Sequence, residues 1–178
     1  MALEERVTNS RYVYRGRVVN LRLDDVETAN GRQSVREVVE HRGAVAVVPV
    51  LPDGRVVMVR QFRLPAGRVL LEIPAGTLEP GEDPAVCAAR ELREETGYSA
   101  GRLTPLFRSF LAPGYSSELL HTFLAQDLSR TGGECEADEV LELEVVPIAD
   151  ALSRIHTGEI CDAKTICGLL MVARTLDV

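Results

Sequence analysis

The sequence predicts an α/β protein, with a mixed-strand core flanked by helices and a small antiparallel β meander at the N-terminus. Three observations predict it. Strand-like segments joined by a hairpin turn fill the first forty residues, a continuous apolar run opens at Ala44, and helix-compatible stretches occupy the centre and the C-terminal end. Strands and helices that each present one apolar face form a core by stacking in layers.

Taken in order, Tyr12 to Val19 and Leu21 to Glu27 read as strands. Asn30-Gly31 is a strong signal for a tight hairpin turn, and Ser34 to His41 returns as the partner strand. A meander this small does not bury a core alone, so it is expected to pack on something else. Gly43-Ala44 marks the boundary, which makes residues 1–42 the meander and 43–178 the main domain. Ala44 to Leu51 has the unbroken apolar character of a strand buried on both faces. Asp53-Gly54 turns the chain into Arg55 to Phe62, and Leu70 to Ile73 is a short strand entering Pro74-Ala75-Gly76. Asp83 is a good N-cap, Pro84 suits the first helical position and Gly97 is placed to end a helix, so the spacing predicts a helix between them. Further strands are expected at Leu103 to Phe110, Leu119 to Ala125 and Val140 to Val146. Helices are expected over Pro147 to His156 and Ala163 to Thr175.

Composition narrows the function classes. A chain of 178 residues has room for one substantial core and a small appendage. Its formal net charge of -7 argues against non-specific attraction to nucleic acid backbones or anionic membranes. No apolar run approaches the roughly 18 residues of a membrane span, and MALEERVTNS lacks the basic-then-apolar order of a signal peptide. Cys87, Cys135, Cys161 and Cys167 show no C-x-x-C spacing, so they read as reduced, small apolar residues of a cytoplasmic protein. Lys164 is the only lysine. Arginine suits bidentate phosphate contacts, and a general composition bias explains the pattern equally well.

The chemistry concentrates between Gly76 and Tyr98, in GTLEPGEDPAVCAARELREETGY. Gly76, Glu82, Arg90, Glu91, Glu94, Glu95 and Gly97 stand at the spacing G-x5-E-x7-R-E-x-x-E-E-x-G. Seven such positions coincide by chance on the order of once in 10^8 windows. On the predicted helix Glu91, Glu94 and Glu95 share one face, with Ala85, Ala88, Ala89 and Leu92 on the opposite, packing side. Clustered carboxylates repel, and oxygen-only ligands favour hard divalent cations such as Mg2+ or Mn2+. Without the other fixed positions, an E-x-x-E-E run would be an ordinary solvated face.

This pattern resembles the Nudix box, the signature of hydrolases that cleave nucleoside diphosphates linked to another moiety. The resemblance implies an α/β/α sandwich. The flanks are similar to those of ADP-ribose pyrophosphatases: Leu71-Glu72-Ile73-Pro74-Ala75-Gly76 before the box, Arg60-Gln61-Phe62-Arg63 upstream, and Pro113 16 residues after Gly97. Ser109 to Glu118 resembles the subfamily's catalytic loop. Gly158-Glu159-Ile160 with Asp162-Ala163-Lys164-Thr165 resembles the approach to its final helix. GDP-mannose hydrolases of the same branch share several of these flanks.

The resemblance implies roles. The backbone carbonyl of Ala75 and the carboxylates of Glu91 and Glu95 would ligate Mg2+ or Mn2+, Glu94 would join through a second ion or a water, and Glu82 is a weaker candidate. Arg90 would orient the glutamates. Glu118 would be the general base for the attacking water, and Pro113 and Gly114 a stiff element and a hinge in a closing loop. Arg63 would contact phosphate or terminal ribose, Glu72 the nucleoside or ribose, and Arg36 the adenine in the partner subunit of a homodimer. The implied reaction turns ADP-ribose into AMP and ribose 5-phosphate. Two rivals stand beside it: hydrolysis of GDP-mannose, NADH or a diadenosine polyphosphate, and a non-catalytic nucleotide-sensing regulator.

Overall fold

The computed structural model describes residues 3–132 and 140–176; the expectation for Cys135 lies outside them. By the density of its internal contacts the chain divides into two compact units. One runs from the N-terminus to Gly43 and includes Phe110–Leu119; the other comprises Ala44–Ser109 and the chain from Leu120 onward.

The first unit carries the antiparallel sheet β1 (Arg6–Arg15), β2 (Val19–Glu27) and β3 (Gln33–His41), in that order. The first strand is earlier than the alternation from Tyr12 predicts. Residues 16–18 form the turn instead of Asn20, because the Gly16 N–H donates to the Val19 carbonyl at 3.0 Å and closes it. β1 is exposed along its whole length, whereas β2 is half-buried or buried throughout.

Among the described residues, the second unit holds two sheets and three α-helices. One sheet has the order β10 (Leu141–Pro147), β5 (Arg55–Arg63), β6 (Arg68–Glu72). The other has the order β7 (Ala75–Thr77), β4 (Ala44–Pro49), β9 (Leu119–Arg130), β8 (Tyr98–Phe110). β4 pairs parallel with β9 and antiparallel with β7. Strand alternation on β4 divides the core. Val45 and Val47 face Cys87, Ala88 and Leu92 of α1 (Pro84–Thr96), while Ala46 and Val48 face Met58, Ile73, Leu169 and Val172. Helix α2 (Ile148–Thr157) contributes Ala151 to that second layer, and α3 (Ala163–Leu176) contributes Leu169 and Val172. This is the α/β/α sandwich that the resemblance implied, built on a parallel pair only a crossover can make. Among the described residues, no helix is long and apolar enough to cross a membrane.

Two expectations need correction. Ala85 and Ala89 do not pack; both are exposed, and the packing face is Cys87, Ala88 and Leu92, with Glu95 and Thr96 buried beside them. Residues 88, 91, 92 and 95 recur at helical spacing, so Glu91 and Glu95 lie on the stripe that faces the sheet. The cysteines do not behave alike either: Cys87 is buried, whereas Cys161 and Cys167 are exposed.

Candidate active site

Helix α1 begins and ends where its sequence directs. The Asp83 carboxylate accepts from the Ala85 and Val86 N–H groups at 2.8 and 3.3 Å, Pro84 fills the first turn, and Gly97 stops the helix at φ 70°. Capping fixes the rotation of the helix and hence the direction of its carboxylates. Arg90 is the hub of the group. Its Nε and Nη2 donate to the two oxygens of Glu82 at 3.0 and 3.1 Å, and its Nη1 donates to Glu91 at 2.7 Å and to Glu94 at 3.1 Å. This planar fork holds three carboxylates in fixed relation, as an ammonium could not. Glu82 in turn accepts from the Glu79 N–H at 2.9 Å, which ties the loop before the helix to the helix itself.

The Arg90 guanidinium, with the Glu79 N–H behind it, holds the Glu82 carboxyl down at about 2. The same carboxylate, with Glu91 and Glu94, raises Arg90 above the ordinary arginine value. Burial, aided by Glu82, pushes the Cys87 thiol up to about 12, so Cys87 is an inert packing residue.

The strand opposite the helix is built around a missing side chain. A Cβ on Gly76 would lie 1.9 Å from Glu91 Cδ, so the glycine lets that carboxylate stand where it does. One residue earlier, the Ala75 N–H donates to Glu95 Oε2 at 3.1 Å. β7 therefore meets α1 at two consecutive residues, one by absence of a side chain and one by a hydrogen bond. Residues 75–77, to which the sequence assigned no element, form a strand paired to Ala44–Ala46.

Arg63 and Glu72 come together in the same unit. Glu72, almost wholly buried, accepts from Arg63 Nε at 2.7 Å and from Lys164 Nζ at 2.8 Å. Lys164 also donates to Asp162 at 2.9 Å. Sequence reasoning missed Lys164, and the only signal was the D-A-K-T run that opens the last helix.

Arg36, Pro113, Gly114 and Glu118 belong to the first unit. There the 111–118 loop is fastened to β3: the Val39 N–H donates to Tyr115 O at 2.8 Å, and the Ser117 N–H donates to Val39 O at 3.0 Å. Glu118 Oε1 lies 4.0 Å from His41 Nδ1, but that nitrogen accepts from the Gly43 N–H at 3.1 Å. Gly114 has open space where a Cβ would stand. Arg36 forms a two-point pair with Glu5.

Comparison with known proteins decides the family. The NUDIX domain matches residues 40–168, and the nucleoside diphosphate sugar hydrolase N-terminal domain matches residues 5–39. The chain belongs to the Nudix family. This Nudix hydrolase is 45% identical to an ADP-ribose pyrophosphatase of Bacillus subtilis, over 92% of this chain and 90% of the relative. It is 41% identical to a methanol dehydrogenase activator of Bacillus methanolicus, over 92% of this chain and 89% of the relative. Its fold superposes on a crystal structure of an ADP compounds hydrolase with a TM-score of 0.88 and 28% identity, covering 99% of this chain and 97% of the other.

Nudix hydrolases generally need a divalent metal, and the residues here fit one. The donors in the Arg90 group are all oxygens, as hard cations require. The Gly76 cradle keeps Glu91 against β7, next to the Ala75 N–H that holds Glu95. Among the described residues, no three acidic, cysteine or histidine side chains converge as they stand closely enough to hold a metal. Arg90 holds Glu91 and Glu94, and the Ala75 N–H holds Glu95.

Proposed function

We propose that this Nudix hydrolase cleaves the diphosphate bond of ADP-ribose to give AMP and ribose 5-phosphate, using Mg2+, with Mn2+ as a substitute. The observation that carries the reading is the Arg90-bound carboxylate group seated against the Gly76 cradle. It occurs in a chain that shares 45% identity with an ADP-ribose pyrophosphatase over nearly its whole length. Glu91, Glu95 and the Ala75 carbonyl would hold the metal, with Glu94 beside them and Glu82 at the margin. A divalent ion held there would lower the pKa of the attacking water and offset the charge of the two phosphates.

The chain's own residues do the rest. Arg90 keeps the carboxylates apart and aimed. Glu118 accepts the proton of the attacking water, and Pro113 and Gly114 shape the loop that carries it. Arg63 contacts phosphate or the terminal ribose, and Glu72 the nucleoside or its ribose. Arg36 reaches the adenine bound in the partner subunit of a homodimer. The exposed β1 strand, with Val7, Tyr12, Val13 and Tyr14 open on a sheet edge, supports that assembly. The described cysteines are free thiols, which suits a reducing cytoplasm.

The test is to incubate the purified protein with ADP-ribose and Mg2+ or Mn2+, with GDP-mannose and NADH alongside, and to identify the products by chromatography. Preferential release of AMP and ribose 5-phosphate from ADP-ribose is expected. Preference for another diphosphate overturns the substrate and keeps the reaction; no cleavage of any of them overturns both.

A further inference from the structure

The first turn of α3 lies in sequence far from the Nudix box, yet it holds the short segment from which the box starts. Glu72 is the last residue of β6 paired to β5, opposite Val59, and Ala75 is the first residue of β7 paired to β4, opposite Ala46. Between them the chain leaves one sheet and joins the other, through Ile73 and Pro74, which lie in neither ladder. Proline has no N–H to anchor the crossing. Ile73 has one; it is fully buried, and its partner is the Thr165 hydroxyl at 3.0 Å, also fully buried. The Pro74 carbonyl accepts from the Val47 N–H at 2.9 Å.

The same turn of α3 also grips the residue before the crossover. Asp162 Oδ1 accepts from the Thr165 N–H at 3.1 Å and from Lys164 Nζ at 2.9 Å, and Lys164 Nζ donates on to Glu72 Oε1 at 2.8 Å. Two consecutive residues of the crossover, Glu72 and Ile73, are thus fixed by two consecutive residues of α3. The register of β7 beyond the crossover has no slack. A slip of one residue would set a Cβ where Gly76 now admits Glu91, and would move the Ala75 N–H away from Glu95.

We infer that Thr165, seconded by Lys164, is a positioning residue for the reaction. By pinning the Glu72–Ala75 crossover, it sets the register of β7 and so the placement of the Ala75 backbone and Glu95. The inference rests on the reading of those two as metal ligands. A buried side chain satisfying the only free N–H of a crossover acts on the backbone beyond it, without touching substrate.

The test compares Thr165→Val, which keeps the shape and loses the hydroxyl, with Thr165→Ser, which keeps the hydroxyl. Three quantities are read: Mn2+ affinity by electron paramagnetic resonance without substrate, hydrogen exchange of residues 72–77 by mass spectrometry, and kcat against KM for ADP-ribose. Thr165→Val is expected to weaken Mn2+ binding on the order of tenfold, as loss of a residue supporting a metal ligand does. It should also speed exchange at 72–77 and lower kcat more than it raises KM. Thr165→Ser should restore all three to within about threefold of wild type. A Thr165→Val protein with wild-type Mn2+ affinity, exchange and kcat, even if it melts earlier, overturns the inference. If Thr165→Val does not fold, Lys164→Met carries the test, and unchanged exchange and Mn2+ affinity in it overturn the inference equally. Absence of Mn2+ binding by the wild type would remove the metal reading alone, because the exchange comparison still decides whether Thr165 pins the crossover.

Discussion

Two groups of charged side chains in the second unit look alike in sequence and differ in balance. Around Arg90, one guanidinium is shared by Glu82, Glu91 and Glu94, with Glu95 on the same helix and Arg93 only at the edge of the group, 3.8 Å from Glu94. Around Glu72, two carboxylates, Glu72 and Asp162, meet two cations, Arg63 and Lys164. The first group has an excess of negative charge and lies half open to solvent; the second is neutral by count, and its central carboxylate is buried. An unbalanced cluster costs the fold repulsion and stores affinity for a cation, whereas a balanced one costs desolvation and returns specificity of packing. The difference separates a group whose negative charge is left over for a cation from one whose charges are already met.

The comparison breaks or sharpens in a graded series. Glu95→Gln should have the largest effect, lowering kcat on the order of 10^3-fold while circular dichroism and the melting curve stay near wild type. Metal-dependent hydrolysis retained in that variant would remove the metal assignment. Glu118→Gln should lower kcat on the order of 10^2-fold, as for loss of a general base. A wild-type rate in Glu118→Gln would remove Glu118 as the general base.

Glu72→Gln should act on the other side of the comparison, lowering stability by about 2 kcal/mol in urea denaturation because two cations lose their buried partner. A loss confined to KM, with stability unchanged, would make Glu72 a substrate contact only. Glu82→Gln gives the smallest effect. Arg90 depresses the Glu82 carboxyl from 4.5 to about 2, so its contribution is fully present above pH 4.5 and is lost as pH falls toward 2. The variant's stability should therefore decline less steeply than wild type across that window, read by denaturation at several pH values. Equal slopes would show that Glu82 is not tied to Arg90.

Local signals in the sequence carried α1 well. Asp83, Pro84 and Gly97 act within a few residues of where they stand, and the observed helix starts and stops at them. The acidic spacing was legible as a group but not its side, for Glu91 and Glu95 lie on the stripe with Ala88 and Leu92 instead of opposite it. Long-range partners were out of reach. Glu82 and Arg90 could be seen as motif positions, but not as the two halves of a fork, and the reason for Gly76 is a carboxylate fifteen residues on. Ala85 and Ala89 suggested a packing side by composition alone, while the true side includes Glu95, which enters the interior because the Ala75 N–H receives it. Three-residue β7 has no alternation to read. Thr165 meets Ile73 only after two sheets have been assembled, so no pattern near Thr165 could announce it.

The measurement that bears most directly on the central claim is calorimetric titration of Mn2+ into the substrate-free protein, run in parallel on Glu91→Gln. Saturable binding to the wild type, weakened at least about tenfold by the substitution, is the expected result. Equal affinity in the two proteins would mean that the unbalanced carboxylates around Arg90 are not where the metal is held.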